Sequence, residues 1–541
     1  MNFASKLENL SKEEIWQEYC GFLDLTIEEY MQIQNRLLME QIGMMSKCGL
    51  GERFFKGRIP RSVEEFRTQI ALTSYQDYAD ILLQKKEHML PGKPVVWLQT
   101  TWEGGNFPAK LAPYTENMLE VYRHNVLSAL ILANSRNKGE YLVRSGFKVL
   151  YTLAPLPYAS GLFPYLIDSE IQFKFLPPLK EARTLSFSEQ SRRGFQMSLK
   201  GGMDMFFGMS SIIYGISKNL QSMFAGSSIS LKNVMSMSPK MIYRLLLARY
   251  RSKRDGVEIQ PKDLFSLHGL VCIGTDSTLY KADLEKWWGQ RPLEIAGGTE
   301  PTCIGTETWS KNGLVLFPDA CFYEFIPEHE MLRSLRDPDY QPPTYLMNEL
   351  VANQNYEMII TVLKGGAFIR YRVGDVFRCI RLKNQQDGLD IPQFEYVDRV
   401  PSVIDIAGFT RVTADEINQI IALSGLAIID WLAVKEYDTD NHSYMHLFVE
   451  MRPGALPGVL SDAQVVKDHF SIYFRFYDSD YNDLKRLLGI DPLQVTVLKA
   501  GTIARYEEIS GQTIPRLNPP RHTLTDILRL HTRGIGEGEG Q

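Results

Sequence analysis

The sequence predicts an α/β protein with a large N-terminal domain and a smaller C-terminal α+β domain. A chain of 541 residues is too long for a single hydrophobic core, so we expect two or three domains. Between residues 115 and 330, segments with helical periodicity alternate with short apolar segments bounded by turn residues, a pattern typical of a mainly parallel sheet covered by helices. From residue 400 the chain has its own helices and strands. We therefore predict a large domain at residues 1–399 and a small α+β domain at residues 400–541, with a disordered tail at residues 533–541.

The first 90 residues are predicted to be helical, because Thr26 is a suitable N-cap and residues 31–45 keep apolar side chains at helical spacing. A predicted strand, Val95–Leu98, then leads through a loop rich in Thr and Gly to Lys110. Glycine lets backbone N–H groups approach phosphate oxygens, so this loop is a candidate phosphate cradle. An ordinary strand-to-helix loop fits the same residues, and the Walker pattern GxxxxGK[ST] is absent. The candidate phosphate contacts are Thr100, Thr101, Gly104, Gly105 and Lys110.

The centre of the chain supplies the alternating elements. Helices are expected at residues 115–138, 185–200, 231–251 and 280–288, and strands at residues 148–153, within 201–216, and at 269–276, 293–300, 314–327 and 356–363. Ligands in parallel sheets bind at the carboxyl ends of strands, where Asp276 and Glu300 fall. These two acids are therefore candidate site residues.

The segment from Lys364 to Ile380 is predicted to form a strand, a tight break at Gly374 and a second strand. The break carries Asp375 between Arg372 and Arg378. A carboxylate held at such a turn accepts hydrogen bonds from a vicinal diol, such as that of a nucleotide ribose. Taken alone, an Arg-Val-Gly-Asp segment is more often a hairpin with a surface ion pair, and only its neighbours favour a ribose contact.

Composition and charge exclude several classes of protein. A net charge of −5 and a pI near 6.1 give no reason to expect a nucleic-acid partner, and the basic run Arg249–Arg254 is interpreted as a solvated helix end. Six scattered cysteines indicate a reducing cytoplasm rather than a disulfide framework. No signal peptide and no run of about 18 apolar residues is present, so no membrane partner is expected. The nine histidines form neither HxxxH nor HExxH, which disfavours a zinc hydrolase.

Several segments together resemble one family. YRVGDV (Tyr371–Val376), FPDACFYEFIP (Phe317–Pro327) and AGGTEP (Ala296–Pro301) are similar to motifs of the auxin-responsive acyl-acid amido synthetases of plants and bacteria. ALTSYQDY (Ala71–Tyr78) matches an N-terminal segment of the same family, and DSDYNDLKR followed by VTVLKAGTIARY resembles its C-terminal pattern. The resemblance covers residues 15–530 and points to a bacterial member of this family, within the firefly-luciferase-like adenylate-forming enzymes.

The resemblance implies an adenylate-forming fold with a β-barrel-like part and a cytoplasmic, AMP-forming ligase. Such an enzyme adenylates a carboxylic acid with ATP and Mg²⁺ and then transfers the acyl group to an amine or amino acid. Carried over by position, Asp375 would hold the ribose, Glu300 would lie near Mg²⁺ and the α-phosphate, and Arg399 would lie near an interdomain hinge. Other nucleotide contacts implied by the resemblance are Gly297, Gly298, Thr299, Tyr371 and Arg372.

The chain departs from the family's pattern in the segments that are expected to contact phosphate. KLAP (Lys110–Pro113) is kept, but the loop before it carries Trp102 and Glu103 in place of a run of small residues. Arg411 stands where the family has a lysine. The segment that resembles the catalytic-lysine motif reads TIPRLNPPR, which puts Asn518 at the lysine with Arg516 nearby.

Two hypotheses from different classes follow. The first is an active acyl-adenylate-forming ligase with altered phosphate contacts, in which Glu300, Lys110, Asn518 and Arg516 carry the chemistry. Its altered contacts suit an unusual acid or amine of bacterial secondary metabolism. The second is a nucleotide-binding relative that no longer adenylates and that binds a ligand or accepts an acyl group activated elsewhere.

Overall fold

The computed structural model describes residues 1–100, 109–225, 237–337, 339–408, 410–452, 463–477, 484 and 491–533. It divides into two compact units. The large unit comprises Met1–Thr100 and Lys110–Asp398, and the small unit contains the described residues from Arg399 onward. The functional roles assigned to residues 1–399 and 400–541 from the sequence stay predictions.

The large unit begins with the helices that the sequence predicts. Thr26 caps the long helix α3, since its hydroxyl accepts the backbone N–H of Glu29 while the Glu29 carboxylate accepts the N–H of Thr26. No helix in the described part of the chain is long and apolar enough to cross a membrane. The helices of this unit are α1 Phe3–Asn9, α2 Lys12–Cys20, α3 Ile27–Met45, α4 Gly49–Phe55, α5 Val63–Gln69, α6 Ala79–Leu82, α7 Glu116–Ala133, α8 Ala159–Asp168, α9 Leu179–Ala182, α10 Phe187–Gly201, α11 Ser210–Ala225, α12 Pro239–Asp255, α13 Pro261–Leu264, α14 Ser277–Trp288 and α15 Glu328–Arg336.

The described part of the large unit also contains thirteen strands. They are β1 Val96–Gln99, β2 Leu111–Tyr114, β3 Lys148–Thr152, β4 Lys174–Leu176, β5 Met205–Met209, β6 Gly269–Ile273, β7 Leu293–Gly298, β8 Thr302–Glu307, β9 Leu314–Leu316, β10 Cys321–Pro327, β11 Gln354–Val362, β12 Tyr371–Arg381 and β13 Gln393–Arg399. Strands β1 and β2 form an antiparallel pair. The other eleven form one sheet in the order β10-β11-β12-β13-β9-β8-β7-β6-β5-β3-β4.

The large sheet has a parallel half and an antiparallel half. Strands β4, β3, β5, β6 and β7 are parallel, and they bring the carboxyl ends of β3, β5 and β6 to one edge, as the alternating pattern predicts. Strand β7 then pairs with β8 in the antiparallel sense and continues the sheet instead of ending it. Because of this continuation the described strands form an open sheet, and the expectation of a β-barrel-like part is wrong for the described residues.

The segment predicted as strand, tight break and strand is instead a single bulged strand. In the pairing of β11 with β12, Glu357 lies opposite Val376 and Ile359 lies opposite Arg372, so Val373–Asp375 face Met358 alone. Gly374 has φ +84°, a left-handed conformation that glycine adopts without a steric penalty, and this permits the bulge. The expected turn at Asp375 was wrong. A glycine with positive φ is compatible either with a bulge inside a strand or with a turn that ends the strand, and here it forms a bulge.

The small unit is an α+β structure. Its strands are β14 Val403–Ile406, β15 Thr410–Thr413, β16 Ile428–Tyr437, β17 Ser443–Met451 and β18 Leu493–Leu498, and its helices are α16 Ala414–Ser424, α17 Ala463–Tyr477, α18 Thr502–Ser510 and α19 Arg521–Arg533. Strands β16 and β17 are antiparallel and β18 is parallel to β17. Their apolar side chains share a core with α18 and α19. The predicted tail at 533–541 lies outside the described residues, apart from Arg533.

A buried ion pair holds the start of β12. Arg370 donates through Nε and Nη2 to the carboxylate of Glu324 on β10, at 3.1 and 2.9 Å. Its Nη1 also donates to the carbonyls of Arg67 and Ile70. Both side chains of the ion pair are almost fully buried, so neither charge is solvated if its partner is lost.

We expect Arg370→Met to lower the free energy of unfolding by about 3–5 kcal/mol, because it removes two hydrogen bonds to the buried Glu324 carboxylate and leaves only the more distant Arg67, whose Nε lies 4.0 Å away. Arg378→Met is the matched control: Arg378 is an exposed residue of the same strand, and its loss should cost no more than about 0.5 kcal/mol. Urea denaturation of both variants checks this expectation. Equal stability of the two variants would contradict it.

Candidate functional site

The site is built on the tight hairpin between β7 and β8, which the segment AGGTEP forms. Gly297 pairs with Cys303 and Gly298 with Thr302, which leaves Thr299–Pro301 at the tip. A Cβ on Gly297 would lie 2.4 Å from the carbonyl oxygen of Thr302, so only glycine allows this close approach of the two strands. The hairpin thereby carries Glu300 beyond the parallel half of the sheet.

Glu300 is held by Tyr371. The Tyr371 hydroxyl donates to Glu300 Oε1 at 3.1 Å, and the two residues are only 2% and 8% exposed. Thr73 fixes the Tyr371 backbone from the other side, because its N–H donates to the Arg370 carbonyl and its carbonyl accepts the Arg372 N–H, both at 2.9 Å. The structure therefore joins two segments that lie about 70 residues apart in the sequence, the AGGTEP hairpin and the YRVGDV strand.

The β1–β2 pair meets the same hairpin. Tyr114 on β2 donates its hydroxyl to the carbonyl of Thr299, and the Thr299 hydroxyl donates to the carbonyl of Gln99 on β1 at 3.5 Å. The backbone N–H of Thr100 donates to the carbonyl of Lys110 at 3.0 Å and closes the base of the loop between the strands. The structure thus brings Thr100 and Lys110 to the site. Thr101, Gly104 and Gly105 lie outside the described residues.

Tyr75 interacts electrostatically with both Lys110 and Glu300. The Lys110 ammonium lies 5.7 Å from the centre of the Tyr75 ring, and the Tyr75 oxygen accepts the Leu111 N–H at 2.6 Å. Burial, and to a lesser extent the charge of Glu300, raise the pKa of Tyr75 to about 12, against the lowering effect of its hydrogen bond to the Leu111 backbone. Tyr75 is therefore neutral at physiological pH.

Asp375 lies four residues beyond Tyr371, half-buried, within the bulge of β12. Bulges re-aim a side chain relative to a regular strand and are frequent next to active sites. Arg372 is engaged elsewhere, because its guanidinium forms two hydrogen bonds with the buried carboxylate of Glu357, at 2.8 and 2.6 Å, and one with Ser334. Its predicted contact with a nucleotide stays a prediction.

In the small unit, two predicted residues surround one buried carboxylate. Arg411 Nε donates to Asp405 Oδ2 at 3.0 Å, and Asp405 is fully buried. Burial by itself raises the pKa of Asp405, but the charges of Arg411, Lys435 and Arg399 lower it further, and the net shift is downward. Arg399 and Arg411 therefore share an anionic partner within this unit.

Arg516 and Asn518 are held by protein groups. Arg516 donates to Asp430 at 3.0 Å and to Glu507 at 2.8 Å. The Asn518 side chain accepts the Lys435 N–H at 3.0 Å and donates to the carbonyls of Pro401 and Val403, both at 3.3 Å. These contacts are those of structural residues, and a chemical role for either stays a prediction.

Sequence reasoning missed two tyrosines of the site. Tyr75 lies in the segment Ala71–Tyr78, which resembles the family, and Tyr114 directly follows the kept segment Lys110–Pro113. Neither was assigned a contact near Glu300, because the pairing of β1 with β2 and its approach to the β7–β8 hairpin are tertiary features.

The residues present suit Mg²⁺ accompanied by phosphates. Glu300 Oε1 accepts from Tyr371, and Oε2 forms no hydrogen bond with any described residue. In the described ranges no three His, Cys, Asp or Glu side chains form a group that could hold a metal ion. Mg²⁺ commonly takes one or two carboxylates and completes its octahedron with water and substrate phosphates, so a single acid here is consistent with it.

The middle of the chain matches the model of a known protein family. Residues 314–399 match the GH3 family central domain, which confirms the resemblance predicted from Phe317–Pro327 and Tyr371–Val376. Curated relatives from Oryza sativa subsp. japonica include the probable indole-3-acetic acid-amido synthetase GH3.4, 25% identical over 41% of this chain and 35% of the relative, and the jasmonoyl–L-amino acid synthetase GH3.5, 24% identical over 41% of this chain and 39% of the relative. The aligned part spans little more than a third of each relative's length.

Two solved structures show the same fold. The acyl acid amido synthetase AtGH3.15 in complex with 2,4-DB has a TM-score of 0.51 at 15% identity and covers 96% of both chains. The 2-hydroxyisobutyryl-CoA ligase in complex with 2-HIB-AMP and CoA has a TM-score of 0.56 at 13% identity, over 95% of this chain and 94% of the other. The chain therefore shares the α/β fold of these two enzymes, which confirms the predicted fold class.

We expect Gly297→Ala to lower the free energy of unfolding by about 1–3 kcal/mol, because the new methyl group meets the Thr302 carbonyl and forces the hairpin apart. The adjacent Gly298→Ala is the control, since a Cβ there meets nothing nearer than the Pro301 ring at 3.2 Å. Thermal unfolding of the two variants gives the comparison. If the Gly298 variant is the less stable of the two, this description of the hairpin is wrong.

Proposed function

We propose that this chain, which carries the GH3 family central domain at residues 314–399, is an ATP-dependent acyl-acid amido synthetase. It would adenylate a carboxylic acid, release pyrophosphate and transfer the acyl group to an amine or amino acid. One curated relative is named as a probable amido synthetase and the other as an amino acid synthetase, and a solved structure with the same fold is a CoA ligase in complex with 2-HIB-AMP. These names support activation of an acid as an acyl-adenylate by this chain.

The observation that carries the proposal is the hydrogen bond between Tyr371 and Glu300. It joins the two segments that resemble the family's nucleotide motifs and leaves one oxygen of a buried carboxylate without a hydrogen bond to any described residue. A carboxylate oxygen without a hydrogen bond to the described part of the protein is available to a cation, which supports a role for Glu300 in holding Mg²⁺.

The residues around Glu300 provide the other elements of a nucleotide site. Lys110 supplies a cation at the base of the β1–β2 loop, suited to neutralise phosphate charge. Asp375 lies in the bulge of the same strand as Tyr371 and supplies the carboxylate for the ribose hydroxyls. Gly297 and Gly298 are exposed at the end of β7, beside Thr299, and their backbone is the edge that we propose for the adenine and acyl site.

The proposed reaction has two steps. A carboxylate oxygen of the acid attacks the α-phosphorus of ATP, the bond to the β-phosphate oxygen breaks, and pyrophosphate leaves. The amine nitrogen then attacks the acyl carbon, the bond to the AMP oxygen breaks, and the nitrogen loses a proton. Mg²⁺, when bound, neutralises the phosphate oxygens, and Glu300 is the residue that would hold it. The protein's own contribution is to orient the reactants and to exclude water.

One observation favours a second candidate, a relative that binds nucleotide but does not adenylate. The side chains of Arg516 and Asn518, which stand in the segment that resembles the catalytic-lysine motif, are bound to Asp430, Glu507 and nearby backbone groups. They do not replace a mobile lysine. This candidate keeps the nucleotide contacts of the large unit and lacks the phosphate contact of the small unit.

Exchange of radiolabelled pyrophosphate into ATP, measured with a panel of aryl, fatty and amino acids, tests the proposal. We expect exchange that depends on one class of acid and that falls by about 100-fold or more in Lys110→Met, because a cation at the phosphates is lost. A panel with no active acid, together with measurable ATP binding, would favour the second candidate.

ATP binding by calorimetry provides the control that is common to both candidates. Asp375→Ala should weaken ATP binding about tenfold or more through loss of the ribose contact, whereas the exposed Asp339→Ala should not change it. Unchanged affinity in the Asp375 variant would refute the ribose assignment under either candidate.

A further inference from the structure

Helix α12, Pro239–Asp255, carries apolar residues on two opposite faces. One face is buried: Met241, Leu245 and Ala248 are at most 3% exposed and belong to the core cluster beneath the parallel sheet. This face alone accounts for the docking of the helix on the large unit. Apolar residues on the opposite face have no such explanation.

The opposite face carries a solvent-exposed apolar strip. Tyr243, Leu246 and Tyr250 are 66, 60 and 62% exposed, and their spacing of three and four residues places them in one row along the helix. Val257, just beyond the helix, is 55% exposed. Single exposed apolar residues are common, but a row of this kind on one helix marks an interaction surface.

The strip is bordered by positive charge. Helix α12 contains six Lys or Arg residues and one acid, in a chain whose net charge is −5. Lys240 and Lys253 lie on the two sides of the strip at helical spacing, and neither forms an ion pair with a described residue. The run Arg249–Arg254, interpreted from the sequence as a solvated helix end, is thus part of a basic and aromatic surface.

We propose that this face of α12 lies on the surface of a bilayer that contains anionic lipid. The exposed row runs along the helix axis between lysines, which fits a helix lying in the plane of a bilayer surface, and tyrosine and lysine are residues suited to the headgroup layer. Two copies of the same cationic face would repel each other, which disfavours self-association through it. Binding of this kind requires no spanning segment, so the absence of a long apolar run does not oppose it.

Co-sedimentation of the full chain with lipid vesicles tests the proposal. The vesicles contain either phosphatidylcholine alone or phosphatidylcholine with about one quarter phosphatidylserine. We expect binding to the anionic vesicles only, lost as salt is raised, and reduced at least tenfold in Tyr243→Ser/Leu246→Ser/Tyr250→Ser and in Lys240→Glu/Lys253→Glu.

The matched control is Ile509→Ser. Ile509 is 60% exposed, like Leu246, but it lies on α18 beside Glu507 and Glu508, and its replacement should leave vesicle binding unchanged. Circular dichroism verifies that each variant is folded. No binding of the wild-type chain to anionic vesicles, or equal binding by all variants, overturns the proposal. A dimer in light scattering that the Tyr243/Leu246/Tyr250 variant abolishes also overturns it, in favour of self-association.

Discussion

The hydrogen bond from the Tyr371 hydroxyl to Glu300 is the contact on which the candidate site depends. A carboxylate this deeply buried is expensive unless it is hydrogen-bonded or paired with a cation. Tyr371 satisfies one oxygen, and the backbone of Tyr371 is itself clamped between β11 and Thr73. The tight β7–β8 hairpin, closed at Gly297, presents the acid to it. The hairpin and β12 therefore meet at one carboxylate, and the β1–β2 pair contacts the neighbouring Thr299.

The surrounding fold explains why this contact is rigid. In the sheet formed by the described strands, β7 lies between the parallel and antiparallel halves, and it pairs with β6 at Leu293 and Glu294 and with β8 from Ile295 to Gly298. Arg370, one residue before Tyr371, is locked by the buried Glu324 and by two backbone carbonyls. A site supported in this way holds its groups in position without reorganisation, which is what stabilisation of developing phosphate charge requires.

Much of the fold was accessible from the sequence because helices and buried strands carry periodic patterns. The N-cap at Thr26, the strands near residues 148 and 269, and the helix that follows residue 276 all lie where the pattern predicts them. The bulge at Gly374 was not predictable, because a glycine before an acid is compatible with either a turn or a bulge, and only the register against β11 distinguishes them. The prediction of a barrel-like part was wrong for a related reason, because the closure of a sheet depends on tertiary contacts that periodicity does not report.

The sequence predicted two residues that meet in the candidate site, but it did not predict the ion-pair partners of the arginines. Glu300 and Tyr371 were named from motif resemblance, and the structure brings them together, whereas Arg372 is turned to Glu357 and Arg516 to two acids of the small unit. Residue type alone does not reveal which of several arginines is already paired.

A double-mutant cycle on the initial rate of ATP–pyrophosphate exchange, with Glu300→Ala, Tyr371→Phe and their combination, tests the central contact most directly. We expect strong non-additivity, a coupling free energy of about 1–2 kcal/mol, because Tyr371 acts through Glu300. Independent, multiplicative effects would show that the hydrogen bond does not organise the site.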